Sequence, residues 1–510
     1  MTGPTATLCG LLDDLVEAAQ ASPALSAPLD PGAPRWTAGE LRRDTQLLAR
    51  RLLARGAPGQ RVAVLLPNGA EAALLQLAVA AAGMTLVPLN PRLPAEAVAR
   101  AVRVAEVSEL VVGAARADDV TARLDDRSGL RIVRSDGSWE SLVAGPDPGD
   151  APLPVVEGSD LAQIQFTSGT SGAPKGVLVT HAAMTATARM FAARVDPGDG
   201  PWLNPMPMFH TAGNVLGSAG AMAAGEEHVV MAFTPEATVR LLEGTGAAML
   251  SAAPALLDLC LEELGRRPDT DLSALRVVFT GGQRVSEAQV ERVETTFGAR
   301  MAITWGMTET CGSALLTSPG DPDGPRRTTV GTPLPDTEVR VVDVDGAPVG
   351  PGEAGELLVR GPRITRAYLV DVGTVRPALD ADGWLHTGDL AQALPDGTHR
   401  IVGRASDMIK TGGENVTPEQ VETVLAGDPE VREVAVIGVP DDRWGELVVG
   451  CLVLAPDASE ADVVARLEEH TRAVLAPHER PRRWMVLPEL PRTASSKVQR
   501  HVLREHAAGE

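Results

Sequence analysis

The segment FTSGTSGAPKG, residues 166–176, carries the clearest indication of what this chain binds. Its hydroxyl groups, and the backbone N–H groups freed by its glycines, can wrap a polyphosphate, while the lysine neutralises negative charge. A Walker loop is excluded because Pro174 and Gly176 flank Lys175 where that motif has glycine and Ser or Thr. The alternative reading is a flexible surface loop. The candidate phosphate-binding residues are Thr167, Ser168, Gly169, Thr170, Ser171, Gly172 and Lys175.

The surroundings of this segment predict an α/β fold. The strand-like LAQIQF precedes it and the helix-like HAAMTATARMFAAR follows it, and loops in such places tend to carry sites. Further outward, short apolar runs such as RVAVLLP, MTLVPLN and ELVVGAA alternate with Ala/Leu/Arg helical stretches. This alternation is typical of parallel strands joined by crossover helices.

The change in sequence texture along the chain predicts two domains. Residues 1–405 are expected to form a large N-terminal domain of layered α/β subdomains, with a small β-rich subdomain over about 328–405. Residues 406–510 alternate helix and strand and are expected to form a small, mobile α+β domain. A chain of 510 residues exceeds what one hydrophobic core usually organises, which agrees with this division.

Composition excludes several kinds of partner. The formal net charge of −21 would repel nucleic acid and anionic lipid.

The first twenty residues predict an amphipathic helix rather than an export signal. The most apolar window, residues 72–89, reads as a helix and a buried strand rather than a membrane span. The four cysteines are scattered, which favours the reducing cytoplasm.

Lysine usage is a second pointer to function. Only Lys175, Lys410 and Lys497 are lysines among 46 basic residues. A lysine is a compact point charge that reaches one phosphate or carboxylate, whereas the arginine fork needs room for bidentate contact. All three lie in segments rich in Gly, Ser or Thr, which favours a function for each over chance retention.

The chain resembles the adenylate-forming superfamily of acyl-CoA synthetases, luciferases and nonribosomal-peptide adenylation domains. The resemblance spans nearly the whole chain, and its motifs stand in the family's order. Besides FTSGTSGAPKG they are PMFHTAGN, TGGQRV, TWGMTET, GWLHTGDL, GRASDMIKTGGENVTPEQVE and PRTASSKVQR.

The resemblance implies an ATP-dependent reaction in two steps. A carboxylate attacks the α-phosphorus of ATP and expels pyrophosphate, and a thiol then attacks the acyl-adenylate. The resemblance places Thr170 and Glu309 at the Mg²⁺, Thr308 at the α-phosphate and Lys175 at the departing phosphates. Trp305 stands where a tyrosine often stacks on adenine; a place in the core is the alternative for this residue.

Further roles follow from the other motifs. Gly281, Gly282 and Gln283 match the loop that approaches adenine, while Asp389 and Arg404 match residues that reach the ribose and the nucleotide. Asp389 capping a turn and Arg404 pairing on the surface are the plain alternatives.

Three segments near the C-terminus match parts of the family that act in separate steps. Lys497 matches the adenylation lysine, with Ser496 before it in place of the usual glycine. The segment of Lys410, Gly412, Gly413, Glu414 and Asn415 matches the one used in thioester formation, although without the family a tight turn with a surface lysine is the preferred interpretation. Ser406 stands at the hinge position usually held by aspartate or lysine.

The substrate class depends on His210. Relatives that activate amino acids place an aspartate there to bind the substrate ammonium, whereas His210 matches fatty- and aryl-acid relatives. The predicted pocket walls, SAAPALL from Ser251 and CGSALL from Cys311, are small and apolar. The sequence therefore predicts an acyl-CoA synthetase that activates an apolar, fatty or aryl, carboxylic acid with ATP, Mg²⁺ and coenzyme A.

Two alternatives to this function stay open. The first is a stand-alone ligase that loads an acyl carrier protein; since only residues 498–510 follow Lys497, no fused carrier domain is expected. The second, from a different class, is a nucleotide-binding regulatory protein with a decayed active site. The presence of Lys175, Glu309, Asp389, Arg404 and Lys497 disfavours it.

Overall fold

Short apolar strands alternate with helices along most of the chain, as the sequence predicts. The computed structural model describes residues 6–30, 32–124, 129–143, 148–167, 175–441, 443–492 and 498–508. The chain divides into two compact units: unit 1 is Met1–Glu338 with Val359–Leu385, and unit 2 is Val339–Leu358 with His386–Glu510. Residues 328–405, the segment predicted to be β-rich, are thus divided between the two units. The domain boundary predicted at 405/406 stays a prediction.

Several helices begin at a hydroxyl-bearing residue or a proline. Thr37 forms a capping box with Glu40, and Thr180 caps a helix directly after a strand by accepting the N–H of Ala183. The helices are α1 Leu8–Ala19, α2 Ala38–Leu53, α3 Ala70–Ala81, α4 Ala95–Val104, α5 Ala114–Thr121, α6 Trp139–Val143, α7 His181–Val195, α8 Gly220–Ala224, α9 Pro235–Thr245, α10 Pro254–Arg266, α11 Glu287–Phe297, α12 Asp323–Thr328, α13 Pro418–Leu425, α14 Glu460–Val474 and α15 Arg500–Ala508.

Most strands are short, and many are rich in Val, Leu and Ile, as buried strands are. They are β1 Pro23–Ser26, β2 Arg35–Thr37, β3 Arg61–Leu65, β4 Thr85–Pro88, β5 Glu109–Gly113, β6 Arg131–Ser135, β7 Leu161–Thr167, β8 Lys175–Thr180, β9 Trp202–Asn204, β10 His228–Val230, β11 Met249–Ser251, β12 Val277–Gly281, β13 Arg300–Trp305, β14 Leu315–Leu316, β15 Thr332–Pro333, β16 Glu338–Val342, β17 Ala354–Arg360, β18 Ala367–Asp371, β19 Thr374–Pro377, β20 Leu385–Ala393, β21 His399–Arg404, β22 Ile409–Thr411, β23 Glu414–Val416, β24 Val431–Asp441, β25 Gly445–Leu454 and β26 Arg483–Val486.

Two large mixed sheets form unit 1. Within the described residues, one has the order β15-β14-β13-β12-β11-β9-β10-β1-β2, and its strands from β13 to β1 are parallel. The other has the order β19-β18-β8-β7-β4-β3-β5-β6. Helices cover these sheets, and buried Leu, Val and Ala side chains fill the layers between them. The α/β fold class is confirmed.

Unit 2 is built around two smaller sheets. The four strands β16, β17, β20 and β21 form one, consistent with the predicted β-rich texture. The second has the order β23-β22-β25-β24, with β26 parallel to β25, and α13, α14 and α15 supply helices beside it. Its two faces carry separate apolar clusters, one with Leu425 and Val436 and one with Ile437 and Leu503. This arrangement is the small α+β structure that the sequence predicts.

The apolar window at residues 72–89 forms α3 and the buried strand β4, as expected. In the part of the chain that the structure describes, no helix combines the length and the apolarity that crossing a membrane requires. All four cysteines are free thiols.

Candidate active site

The carboxyl edge of the parallel strands in the larger sheet of unit 1 gathers several predicted site residues. Strands β12 and β13 run side by side with Gly281 opposite Thr304, so the chain following each strand leaves at the same edge. Strands β9 and β11 belong to the same parallel set, and His210 and the SAAPALL segment follow them. The fold therefore brings together four motifs that are far apart in sequence.

Gly281 is glycine because the neighbouring strand leaves no room for a side chain. A Cβ at this position would lie 2.5 Å from Cγ2 of Thr304 and 2.6 Å from its carbonyl oxygen. Gly282 has a φ of +76°, in the left-handed region that favours glycine. Strand packing alone accounts for Gly281, and the predicted approach of this loop to adenine stays a prediction. Trp305 is 7% exposed at the end of β13.

Glu309 lies in a short 3₁₀-helix, Thr308–Thr310, directly after β13. Its backbone carbonyl accepts the N–H of Thr365 at 2.8 Å, and its side chain is only 4% exposed. Thr308 beside it is also buried. A carboxylate at such a position is costly unless it has partners.

The partners of Glu309 come from the second sheet of unit 1. Lys175 Nζ lies 2.8 Å from Glu309 Oε1, and the hydroxyl of Tyr368 donates to the same oxygen at 3.1 Å. The Lys175 ammonium also lies 3.8 Å from the centre of the Tyr368 ring. The predicted phosphate-binding lysine and the predicted metal-binding glutamate are thus adjacent, as a phosphate–metal site requires.

Strand pairing explains why these three side chains meet. Strand β18 pairs antiparallel with β8, and Tyr368 stands opposite Val177. Lys175 lies two residues before Val177 on the same face, which makes Lys175 and Tyr368 diagonal neighbours. Burial and the charge of Glu309 both raise the pKa of Tyr368, so its hydroxyl stays protonated and can donate.

The segment in front of Lys175 is partly described. Thr167 ends β7 and pairs with Lys175, the first residue of β8. The predicted residues Ser168, Gly169, Thr170, Ser171 and Gly172 lie outside the described residues. The strand-like LAQIQF forms β7 and the helix-like segment after the loop forms α7, as expected, and the strand β8, which was not predicted, lies between the loop and α7. Val177 and Val179 are buried β-branched residues that favour a strand, and α7 begins only after the cap at Thr180.

His210 lies half-buried in the turn that precedes a π-helix, Ala212–Ala219. Its Nδ1 accepts the backbone N–H of Ala212 at 3.3 Å. In the neutral ring this leaves the proton on Nε2, which becomes a hydrogen-bond donor. π-helical segments are often found at functional sites.

Amide side chains hold the loop in front of His210. Asn68 donates to the carbonyl of Met206 and accepts the N–H of Met208, both at 2.8 Å. Gln165 donates to the carbonyl of Phe209 at 3.1 Å, and Asn214 to that of Met208 at 3.0 Å. Asn68 and Gln165 were not among the predicted site residues, and Asn214 was named only within the PMFHTAGN motif. The only signal was the pair of glutamines in the otherwise apolar strand LAQIQF.

Gln283 lies in unit 1, directly after Gly282, and unit 2 contains the other predicted residues that the structure describes. Asp389 and Arg404 stand opposite each other on β20 and β21, and Arg404 Nε lies 2.9 Å from Asp389 Oδ1. Asp389 is buried, whereas the Arg404 side chain is 47% exposed. Ser406 lies in a short 3₁₀-helix, Ala405–Asp407. Lys497 and Ser496 lie outside the described residues.

Lys410 is an exposed residue of the β22–β23 hairpin. Gly412 and Gly413 form its turn, with φ values of +61° and +84°. Two positive φ angles in succession are typical of a type I′ turn, which explains both glycines. The contacts of this hairpin are those of a tight turn with a surface lysine, so its predicted part in thioester formation stays a prediction.

Comparisons with known proteins agree with this arrangement. The sequence model of the AMP-binding enzyme family matches residues 15–369, and that of the AMP-binding enzyme C-terminal domain matches residues 420–497. The chain belongs to the AMP-binding enzyme family. It lies in the acyl-CoA synthetase branch of the adenylate-forming superfamily, which confirms the predicted resemblance.

Two similar proteins are ligases with different acids. One, from Mycobacterium tuberculosis, is 34% identical over 495 residues, covering 92% of this chain and 94% of the relative; it is a 3-[(3aS,4S,7aS)-7a-methyl-1,5-dioxo-octahydro-1H-inden-4-yl]propanoyl:CoA ligase. Another, a sulfoacetate–CoA ligase from Cupriavidus necator, is 32% identical, with 92% of each chain covered.

A similar solved structure is o-succinylbenzoate CoA synthetase from Bacillus subtilis in complex with its acyl-adenylate intermediate. It superimposes with a TM-score of 0.84 at 25% identity over 99% of this chain and 98% of that one. As a member of the AMP-binding enzyme family, the chain is an AMP-forming acid–thiol ligase that uses ATP and coenzyme A. The predicted acyl-CoA synthetase activity through an acyl-adenylate is confirmed at this level.

The residues of this AMP-binding enzyme also fit a bound magnesium ion. Among the described residues, no group of three or more His, Cys, Asp or Glu side chains could hold a metal by itself. Glu309 offers one buried carboxylate, beside a lysine that suits phosphate oxygens. One carboxylate completed by phosphate oxygens and water is the coordination that Mg²⁺ prefers.

Tyr368 is another residue of this site that sequence reasoning missed. It is the one tyrosine in the chain, and no motif used above includes it. Its contact with Glu309 spans 59 residues and depends on the pairing of β18 with β8. The scarcity of tyrosine was the only signal in the sequence.

Proposed function

We propose that this enzyme activates an apolar carboxylic acid, fatty or aryl, and transfers the acyl group to coenzyme A. The observation that carries the proposal is the contact of Lys175 with the buried Glu309, a phosphate-binding cation beside a hard oxygen ligand. In the first step a carboxylate oxygen forms a bond to the α-phosphorus of ATP, and the bond to the bridging oxygen breaks. Pyrophosphate leaves with that electron pair.

Glu309, with Thr170, would hold Mg²⁺, and Lys175 would bind the departing phosphates. The metal, when bound, neutralises charge on the phosphate oxygens. Thr308 would donate to the α-phosphate, and Lys497 would stabilise charge that moves between the carboxylate and the phosphate. The remaining phosphate contacts would come from Thr167, Ser168, Gly169, Ser171 and Gly172.

Other parts of the nucleotide would be recognised by groups of matching shape and charge. The planar Trp305 and the small residues Gly281 and Gly282, with Gln283, suit adenine. Asp389 can accept two hydrogen bonds from ribose hydroxyls, and Arg404 supplies a positive charge. Because Arg404 and Asp389 are paired in this structure, binding would require them to share or exchange partners.

His210 supports an acid without a charged amino group. The hydrogen bond at Nδ1 makes Nε2 a neutral donor, which suits a carboxylate and offers nothing to an ammonium. The buried, apolar residues near the same edge include Leu257 and Leu316, in agreement with an apolar acyl group. Charged acids such as the sulfoacetate used by one relative are therefore expected to be poor substrates.

In the second step the thiol sulfur bonds to the acyl carbon, AMP leaves with the electron pair of the carbon–oxygen bond, and the thiol proton passes to solvent. The β22–β23 hairpin, with Lys410, Gly412 and Gly413, would serve this step. Coenzyme A is the acceptor supported by the family, and a carrier protein is the alternative acceptor.

The four cysteines are free thiols, which fits a protein of the reducing cytoplasm.

A panel of acids tests the substrate class. Pyrophosphate release is measured with fatty, aryl and α-amino acids and sulfoacetate, each with and without coenzyme A. We expect release with fatty or aryl acids and thioester only when coenzyme A is present. Strong release with a proteinogenic amino acid would contradict the argument from His210, and thioester formation on a carrier protein but not on coenzyme A would change the acceptor.

A further inference from the structure

Tyr368 touches both charged partners at the proposed metal–phosphate site. Its hydroxyl donates to Glu309 Oε1 at 3.1 Å, and the face of its ring lies 3.8 Å from Lys175 Nζ. The side chain is nearly buried, at 6% exposure. A buried ring that carries a cation and also donates to the partner anion constrains both groups.

The two contacts of Glu309 use one oxygen. Lys175 Nζ and the Tyr368 hydroxyl both approach Oε1. Among the described residues, no side chain makes a hydrogen bond or ion pair to Oε2, so Oε2 is the oxygen left for a further partner. Together with Lys175, the hydroxyl favours the rotation of the carboxylate in which Oε1 is bound and Oε2 is turned away from both groups.

The fold holds Tyr368 firmly in this position. Strand β18 is paired on one side with β8 and on the other with β19, where Arg376 stands opposite Tyr368. Thr365, three residues earlier, donates its backbone N–H to the Glu309 carbonyl at 2.8 Å and its hydroxyl to the Leu178 carbonyl, also at 2.8 Å. The strand that carries Tyr368 is thus tied to both Glu309 and β8.

The Lys175–Glu309 pair has a consequence for ligand binding. Without ligand, each charge neutralises the other at 2.8 Å. A divalent cation at Oε2 takes up part of the negative charge that Lys175 faces at Oε1, and a polyphosphate takes up part of the positive charge that Glu309 faces. Each ligand therefore binds better when the other is present, because together they supply a new partner for both groups.

We propose that Tyr368 is a positioning residue: its hydroxyl orients Glu309 toward the divalent cation, and its ring holds Lys175 for the phosphates. This inference rests on the proposed role of Glu309 as metal ligand. It assigns separate effects to the two parts of one side chain. Removing the hydroxyl should weaken binding of the metal. Removing the ring should also weaken binding of the nucleotide in the absence of metal.

The test measures binding rather than turnover. Mn²⁺ affinity is determined by electron paramagnetic resonance in the presence of a non-hydrolysable ATP analogue, and metal-free binding of the analogue is determined by calorimetry. Tyr368→Phe should weaken Mn²⁺ binding by about 10- to 100-fold, the usual effect of losing a group that orients a metal ligand. Its metal-free nucleotide affinity should change less than about 2-fold, since the ring remains. Tyr368→Leu should weaken both.

A matched control removes a buried hydroxyl elsewhere in unit 1. Thr238 is fully buried in α9 and donates to the Thr234 carbonyl at 2.8 Å. Thr238→Val is expected to leave both affinities unchanged. Because the chain has one tyrosine, 3-fluorotyrosine also labels Tyr368 alone in the unmutated sequence. Its single ¹⁹F resonance should shift when Mg²⁺ is added with the analogue.

Glu309→Gln separates this inference from the proposed function. Loss of Mn²⁺ affinity in Glu309→Gln together with an unchanged affinity in Tyr368→Phe overturns the positioning role and keeps the metal role of Glu309. Unchanged Mn²⁺ affinity in Glu309→Gln overturns the metal role itself. Should Tyr368→Phe not fold, a ¹⁹F resonance that stays in place on adding Mg²⁺ with the analogue also overturns the inference.

Discussion

Lys175 shows why this chain keeps a lysine where it otherwise uses arginine. Its ammonium lies on the Tyr368 ring and still reaches Glu309 Oε1 at 2.8 Å. An arginine uses its planar fork for such contacts, as Arg360 does when it lies on the Trp384 ring and donates to both oxygens of Glu338. Lys175 brings a single point charge to one oxygen, which agrees with the reasoning from lysine usage.

The same reasoning leads to a prediction for Lys497. Its match to the adenylation lysine assigns it to the first step only. Lys497→Ala should slow adenylate formation by about two or more orders of magnitude, as loss of a charge-stabilising group in a transition state does. It should leave the reaction of a preformed acyl-adenylate with coenzyme A near the unmutated rate.

Single-turnover measurements of the two half-reactions decide this prediction. Lys410→Ala is the matched control, since it removes another of the three lysines and is assigned to thioester formation. The two variants should show opposite patterns. Equal loss of both half-reactions in Lys497→Ala would count against a role confined to adenylation.

At the scale of elements, unit 2 contains an ion-pair network that joins α13, α15 and the segment after β21. Arg500 of α15 lies 2.7 Å from Glu422, 3.5 Å from Glu419 and 3.7 Å from Asp407. Arg504 adds a second contact to Asp407 at 3.6 Å. The residue next to the predicted hinge at Ser406 is thus tied to the C-terminal helix, so a pivot there would lie before Asp407.

Glu419 makes this network sensitive to pH. Burial raises its pKa from 4.5 to about 7; the charge of Glu422 adds to this, and that of Arg500 opposes it. Between pH 4.5 and 7 the unfolded chain loses this proton before the folded chain does, so the free energy of unfolding falls as pH rises. Above pH 7 Glu419 is ionised in both states, so its effect on the free energy of unfolding no longer changes with pH.

Glu419→Gln should therefore stabilise the protein more at pH 8 than at pH 5, by up to a few kcal/mol. Arg500 keeps Glu422 and Asp407 as partners in this variant, so no buried charge is left alone. Thermal unfolding at the two pH values measures the difference. Glu468→Gln is the control, because the Glu468 side chain is 45% exposed. An equal change at both pH values would show that burial of Glu419 has no linkage to stability.

At the scale of the whole molecule, separate cores predict separate unfolding. Leu257 is fully buried in a cluster of unit 1, and Leu425 is fully buried in a cluster of unit 2. A chain with several cores generally departs from two-state behaviour. Calorimetry of the full chain should show two transitions. Leu425→Ala should lower the temperature of one transition, because it reduces the free energy of unfolding of unit 2 by about 2–5 kcal/mol. Leu257→Ala should lower the temperature of the other transition. One common transition, lowered by both variants, would mean that the units unfold together.

The sequence by itself determined the fold class, the order of the motifs and the chemistry of most proposed site residues. These features are local: an apolar strand, a glycine turn or a hydroxyl-rich loop is readable within about ten residues. The type I′ turn at Gly412 and Gly413 belongs to this group, because its dihedral angles require glycine whatever surrounds it.

Tertiary structure alone decided which of these groups touch. Tyr368 meets Glu309 and Lys175 because β18 pairs with β8, and Asn68 holds the loop before His210 across 138 residues or more. Gly281 is required by Thr304 on the next strand. Such contacts depend on strand pairing and helix packing between distant segments, and no local pattern of apolar or turn residues encodes them.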